Sequence, residues 1–164
     1  MAFAIPKLQA LLLFILLLSV APLQAGMTVV EHWLNQLIYV PLYSHIYADE
    51  RYKDKPFALT ATLSIRNTDL KHAMTLETVD YFDSKGTLLH RYLDGPVAIA
   101  PLASTRFIVR ENDKGGSGAK FIVQWHSKTP ISAPIVESIM IGTKMQQGIS
   151  FISRGRVIEG TLSK

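Results

Sequence analysis

Leu59-Thr60-Ala61-Thr62-Leu63-Ser64-Ile65-Arg66 alternates apolar and polar residues, and Asn67-Thr68-Asp69 follows at once. A period of two puts Leu59, Ala61, Leu63 and Ile65 on one face of an extended chain, the signature of a half-buried strand. Asn, Thr and Asp then end it, because their short side chains bond nearby backbone and favour turns. The same grammar repeats downstream. Thr75 to Phe82 reads as a second strand, Asp83-Ser84-Lys85-Gly86 as a hairpin turn, and Thr87 to Leu93 as its antiparallel return. Asp94-Gly95-Pro96 closes that unit. A short strand at Val97–Ala100 leads to Pro101, and Thr105, Phe107 and Val109 alternate with Arg106, Ile108 and Arg110. Beyond a glycine-rich loop, Asn112 to Gly118, the residues Phe121, Val123 and Trp125 alternate again. Pro130 and Pro134 bracket a short linker; strands at Ile135–Gly142 and Ile149–Ser153, with an extension toward Ile158, complete the set.

About eight short strands at roughly ten-residue spacing predict an all-β, antiparallel sandwich or barrel. No long helical period separates them, which excludes a parallel α/β sheet. Proline-bearing edges favour an open, immunoglobulin-like sandwich over a closed barrel. The expected organisation is a single β-sandwich domain over residues 39–164, preceded by a short helical or irregular lead-in over 26–38. The helix is expected because Thr28 and Glu31 have capping-box spacing and Val30, Trp33, Leu34, Leu37 and Ile38 fall at helical intervals. Pro41 would stop it.

Residues 1–25 read as a signal peptide. Lys7 is followed by an apolar run from Leu8 to Val20, then the breaker Pro22 and a small residue at Ala25. An uncleaved anchor is the competing account, but Leu11–Leu18 is too short to cross about 30 Å of hydrocarbon at 1.5 Å per residue. The expected address is therefore the periplasm or cell envelope, with membrane contact only transiently through the signal peptide. No cysteine is present, which rules out thiol catalysis, disulfides and thiolate metal sites. Without Lys7, 16 of the 17 Lys and Arg face 13 Asp and Glu, a net charge of +3. These charges interleave, so no basic groove for nucleic acid is expected.

Several segments occur together in a characteristic order: Tyr39-Val-Pro-Leu-Tyr-Ser-His-Ile-Tyr47, Leu59 to Asp69, Val79-Asp-Tyr-Phe-Asp83, Gly115 to Trp125, and Gln147 to Arg156. Across about residues 38 to 157 the chain resembles an exported bacterial family catalogued as domain of unknown function 3124. The resemblance implies an envelope address and one domain. It supplies no activity, cofactor or site residue.

Four constellations bear on function. Tyr39, Pro41, Tyr43, His45 and Tyr47 would share one face of an extended chain, an aromatic edge able to stack on a sugar or accept a partner strand; packing of the rings at the rim is the plainer account. Gly115-Gly116-Ser117-Gly118-Ala119-Lys120 lacks the Walker spacing and leads into a strand, so it reads as a mobile hairpin loop rather than a phosphate cradle. His32, His45, His72, His90 and His126 are dispersed, with no ligand spacing, and no metal or other cofactor is expected. No nucleophile motif is present, and Asp80 and Asp83 flank a strand end where Asp belongs. Glu137 shares a face with Ile135, Ile139 and Ile141; if that face is the core, Arg154 or Arg156 is the expected ion-pair partner. The expected function is a non-enzymatic binding module for an envelope protein or surface component. A metal-binding or carbohydrate-processing accessory protein is the alternative.

Overall fold

In the computed structural model of the chain, residues 30–111, 113, 115–143 and 148–163 are described. The signal-peptide reading lies outside them. The strands are β1 (His32–Leu42), β2 (His45–Ile46), β3 (Phe57–Ala58), β4 (Thr60–Arg66), β5 (Met74–Phe82) and β6 (Leu88–Arg91). They continue as β7 (Val97–Ile99), β8 (Ser104–Val109), β9 (Ala119–Ser132), β10 (Ile135–Gly142), β11 (Ile149–Arg154) and β12 (Arg156–Leu162). The one helical element among the described residues is a three-residue 3-10 turn at Glu50–Tyr52.

All pairings are antiparallel. One sheet has the order β12-β1-β9-β5-β6, with β7 also on β5; the second runs β11-β10-β4-β8; β2 and β3 form a small pair. Among the described residues both large sheets end in edges that do not pair with each other, so the fold is not a barrel. They face one another across a continuous core. Ile38, Val40, Leu42, Phe121, Val123 and Trp125 enter it from one sheet, and Ala61, Leu63, Ile65, Val136 and Met140 from the other. This is the two-layer solution that alternating strands require, since each sheet has one apolar face to bury.

The expected N-terminal helix is a strand from His32 onward, beginning inside the segment read as a lead-in. The reason is a β-bulge. Register with both β9 and β12 shifts between Trp33 and Asn35, so the inward side chains run Trp33, Gln36, Ile38, Val40 and Leu42. One extra residue changes the spacing from two to three and imitates a helical period. Gln36, polar yet 2% exposed, further masks the alternation. Pro41 does not mark an edge, because β1 lies between β12 and β9. Its missing N–H is tolerated because β12 begins at Arg156, opposite Tyr39, leaving no strand beside Pro41 on that side. Pro130 likewise lies inside β9 rather than in a linker.

Gly155 separates β11 in one sheet from β12 in the other. Its N–H donates to the Val136 carbonyl at 2.8 Å. A Cβ there would sit 2.7 Å from Ile38 Cγ2 and 2.9 Å from the Val136 oxygen. Gly155→Ala is therefore expected to cost about 2 kcal/mol in urea unfolding through overpacking of the corner. An unchanged midpoint would show that the corner relaxes freely.

Candidate functional site: an aromatic cleft between two sheet edges

β6 ends the first sheet and β8 the second. Between these edges opens a cleft of about 710 Å³, lined by Tyr81, Leu89, His90, Tyr92, Ile108, Val109, Arg110 and Asp113. The Asp83–Gly86 hairpin creates one wall by setting Tyr81 opposite His90 in register. Asp83 fixes that turn, its Oδ1 accepting from the N–H groups of Lys85 at 2.9 Å and Thr87 at 2.7 Å. The Thr87 bond foremost holds its carboxyl below the usual range.

An aromatic cluster forms the floor. Tyr92 packs edge-on against His90 at 4.5 Å and Phe107 at 5.3 Å, and lies 5.5 Å from Phe121. Tyr81 meets Phe121 at 5.2 Å. These separations lie within the range in which ring quadrupoles attract. Tyr92 also joins the two sheet edges, its hydroxyl donating to the Ile108 carbonyl at 3.3 Å.

Asp113 supplies the charge. Its Oδ1 accepts a short hydrogen bond from the Tyr81 hydroxyl and another from the Gly115 N–H at 2.7 Å. Gly115 is required here, since a Cβ would fall 2.0 Å from the Tyr81 oxygen. Burial, then the hydrogen bond and charge of Asp113, push Tyr81 far above the normal tyrosine range. Burial, followed by Asp113, also raises Tyr92. Both phenols stay protonated at neutral pH, and each gives its proton to a partner within the protein. The cleft offers two hydroxyls, a carboxylate, a guanidinium and an imidazole over an apolar floor, the mixture that fixes and orients a bound group.

The sequence-expected residues fall elsewhere. Tyr39 lies on the outer face of β1, opposite Arg156 and Ile122. Tyr43 packs on Phe151 at 5.7 Å, and His45 Nε2 bonds the Tyr47 hydroxyl at 2.9 Å. The stripe is thus split between the central strand β1 and the segment beyond it, where His45 belongs to β2. Glu137 is not on the core face: Val136, Ser138 and Met140 point inward, and Glu137 points out. Its ion pair, at 3.8 Å, is with Arg66. Arg154 stands opposite it in register, whereas Arg156 belongs to the other sheet.

The glycine loop is tied down rather than free. Gly116 N–H donates to Ser44 Oγ at 3.0 Å, Gly118 N–H to Ser84 Oγ at 3.1 Å, and Ser84 N–H to the Gly115 carbonyl at 2.9 Å. Lys120 is spent on the Asp83 carbonyl at 2.6 Å. Among the described residues, no three His, Asp or Glu side chains come together to hold a metal. His126 instead meets Glu77 at 2.7 Å, and His72 meets Asp69 at 3.2 Å.

No curated protein matches the chain. Among solved structures, the crystal structure of Thermotoga maritima 1070 is similar at a TM-score of 0.44 and 15% identity, covering 82% of this chain and 100% of that one. Residues 35–158 match the family described as "Protein of unknown function (DUF3124)". That match extends from Asn35, just past the bulge in β1, to the middle of β12, taking in both sheets and the cleft, and the chain belongs to this family.

Proposed function

We propose that the chain is an exported, non-enzymatic binding module of the bacterial cell envelope, its two sheets serving as an immunoglobulin-like scaffold for a ligand seated in the aromatic cleft. The observation that carries this reading is the cleft itself: an aromatic floor with charged and imidazole groups around it, between sheet edges that no further strand covers among the described residues. Edge strands present free backbone donors and acceptors, and the intervening rings provide the apolar anchor that recognition requires. An envelope protein or surface component is the partner this arrangement suits.

Native mass spectrometry of the protein purified gently from its own envelope tests the reading. His90 and Arg110 are exposed, so His90→Ala with Arg110→Gln leaves the core intact. The parent is expected to carry a bound mass that this double variant loses, while Tyr43→Ser with Tyr47→Ser retains it. Equal occupancy in parent and cleft variant would refute the assignment. Loss only from the tyrosine pair would move the site to the loop after β1.

A further inference from the structure

The outer face of the β11-β10-β4-β8 sheet is a second surface, which meets the cleft only at Ile108 on the β8 edge. Register aligns its outward side chains in rows. One row runs Ile152, Ile139, Thr62 and Ile108; the next runs Arg154, Glu137, Ser64 and Arg106. Ile108, Ile135, Ile141 and Ile152 are all between 47% and 57% exposed. Ile108, Ile139, Ile141 and Ile152 lie on or beside the first row and form one apolar patch, while Ile135 lies beyond the charged row, next to Arg66.

Charge is equally one-sided. The outward positions of the four strands carry Arg66, Arg106 and Arg154 against one carboxylate, Glu137. Arg66 is held in place, its Nε donating to Ser64 Oγ at 3.2 Å. Arg66 and Arg106 border a depression of about 410 Å³ whose lining includes Ser104, Ile139 and Leu102.

Leu102 makes this rim unusual. Ala103 N–H donates to the Ala100 carbonyl at 3.1 Å, closing a turn with Pro101 second and Leu102 third. Leu102 has φ 59° there, a conformation that glycine adopts far more readily, and it is 67% exposed. The leucine therefore incurs backbone strain with little packing in return, a pattern found at functional positions.

We propose that this face docks on an anionic lipid surface, with the arginines at the headgroups and Leu102 and the isoleucines against the acyl boundary. Charge complementarity selects an anion, and the isoleucine row beside the arginines selects one attached to an apolar phase rather than free phosphate. The outward positions of the four strands hold no aromatic residue, whereas the centres of protein interfaces gather Tyr, Trp and Phe.

The test is co-sedimentation of the full chain from its own host with vesicles. One set is phosphatidylcholine alone and the other contains phosphatidylglycerol as well. The protein's mass is measured first, so that every variant is compared in the same processed form. Binding to the anionic vesicles is expected, and it should fall as salt rises. Arg66→Gln with Arg106→Gln is expected to weaken it about twenty-five-fold, about fivefold per arginine. Leu102→Gly should weaken it severalfold while the melting temperature holds or rises, which separates docking from folding. Equal binding to both vesicle types, or arginine variants that bind like the parent, would overturn the proposal. So would displacement by inorganic phosphate, which would mark a free-anion site, or binding of polyglutamate without vesicles, which would mark an acidic-protein site.

Discussion

Asn67→Ala is expected to lower stability by about 3 kcal/mol, a fall of about 10 °C in melting temperature. Asn67 is 2% exposed, and its Nδ2 donates to the carbonyls of His72, Ile99 and Ala100 at 2.9, 3.2 and 3.1 Å. Its Oδ1 accepts from Asp69 N–H at 3.0 Å, while its own N–H reaches the Ala103 carbonyl at 3.0 Å. One amide thus joins the end of β4, the approach to β5 and the β7–β8 turn. Truncation takes this donor from the His72 and Ile99 carbonyls, while the Ala100 carbonyl keeps the Ala103 N–H, and an orphaned buried acceptor costs more than an exposed bond returns. Asn67→Asp should be worse than alanine, because a carboxylate would face those carbonyls. Thermal melts of both variants decide the matter; an alanine variant within half a degree of the parent would mean that the turn closes without the amide.

Asn67 also shows what a linear reading can and cannot recover. Its place in a strand-ending Asn-Thr-Asp triplet was legible, because turn chemistry is local. Its partners at residues 99 and 100 were not, because they arrive through the fold. Elements whose faces alternate cleanly were readable to within a residue or two: Ile135–Gly142 matches β10, and Thr75–Phe82 differs from β5 only by Met74. β1 was misread because a bulge and a buried glutamine break the period that strand recognition depends on. Glu137 was correctly placed with three isoleucines, yet which face of β10 is solvated depends on what packs behind it. The outward side carries Ile135, Ile139 and Ile141 and the inward side Val136, Ser138 and Met140, so the more β-branched side is the solvated one and the local pattern misleads.

The cleft was hidden for the same reason. The hairpin at Asp83 already brings Tyr81 and His90 together, and that half was available from the sequence. Arg110 and Asp113 reach them only because β8 closes the edge of the opposite sheet facing β6. A ligand site built between two sheet edges has no spacing motif to detect. The signal available was indirect: tyrosines on both arms of one hairpin, followed by a charged turn and a glycine placed where Tyr81 needs room.

Trp125→Ala is expected to have the largest effect, about 4 kcal/mol, from lost burial and the cavity left between the sheets. Trp125 is fully buried, and its Nε1 donates to Gln36 Oε1 at 3.2 Å. The indole and the amide face each other from paired positions, Gln36 on β1 and Trp125 on β9. Neither partner is easily replaced alone. Trp125→Phe keeps most of the volume but leaves the glutamine oxygen without its donor; Gln36→Leu strands the indole N–H. Combining the two removes both polar groups, so Trp125→Phe with Gln36→Leu should recover about 1 kcal/mol of what the single changes sum to. A double-mutant cycle in urea measures this coupling directly. Strict additivity would show that the bond contributes nothing and that the glutamine finds another partner. A positive coupling would explain why a polar residue occupies the inward face of β1: paired only in one register with β9, it resists a slip that would turn every β1 side chain to the wrong side.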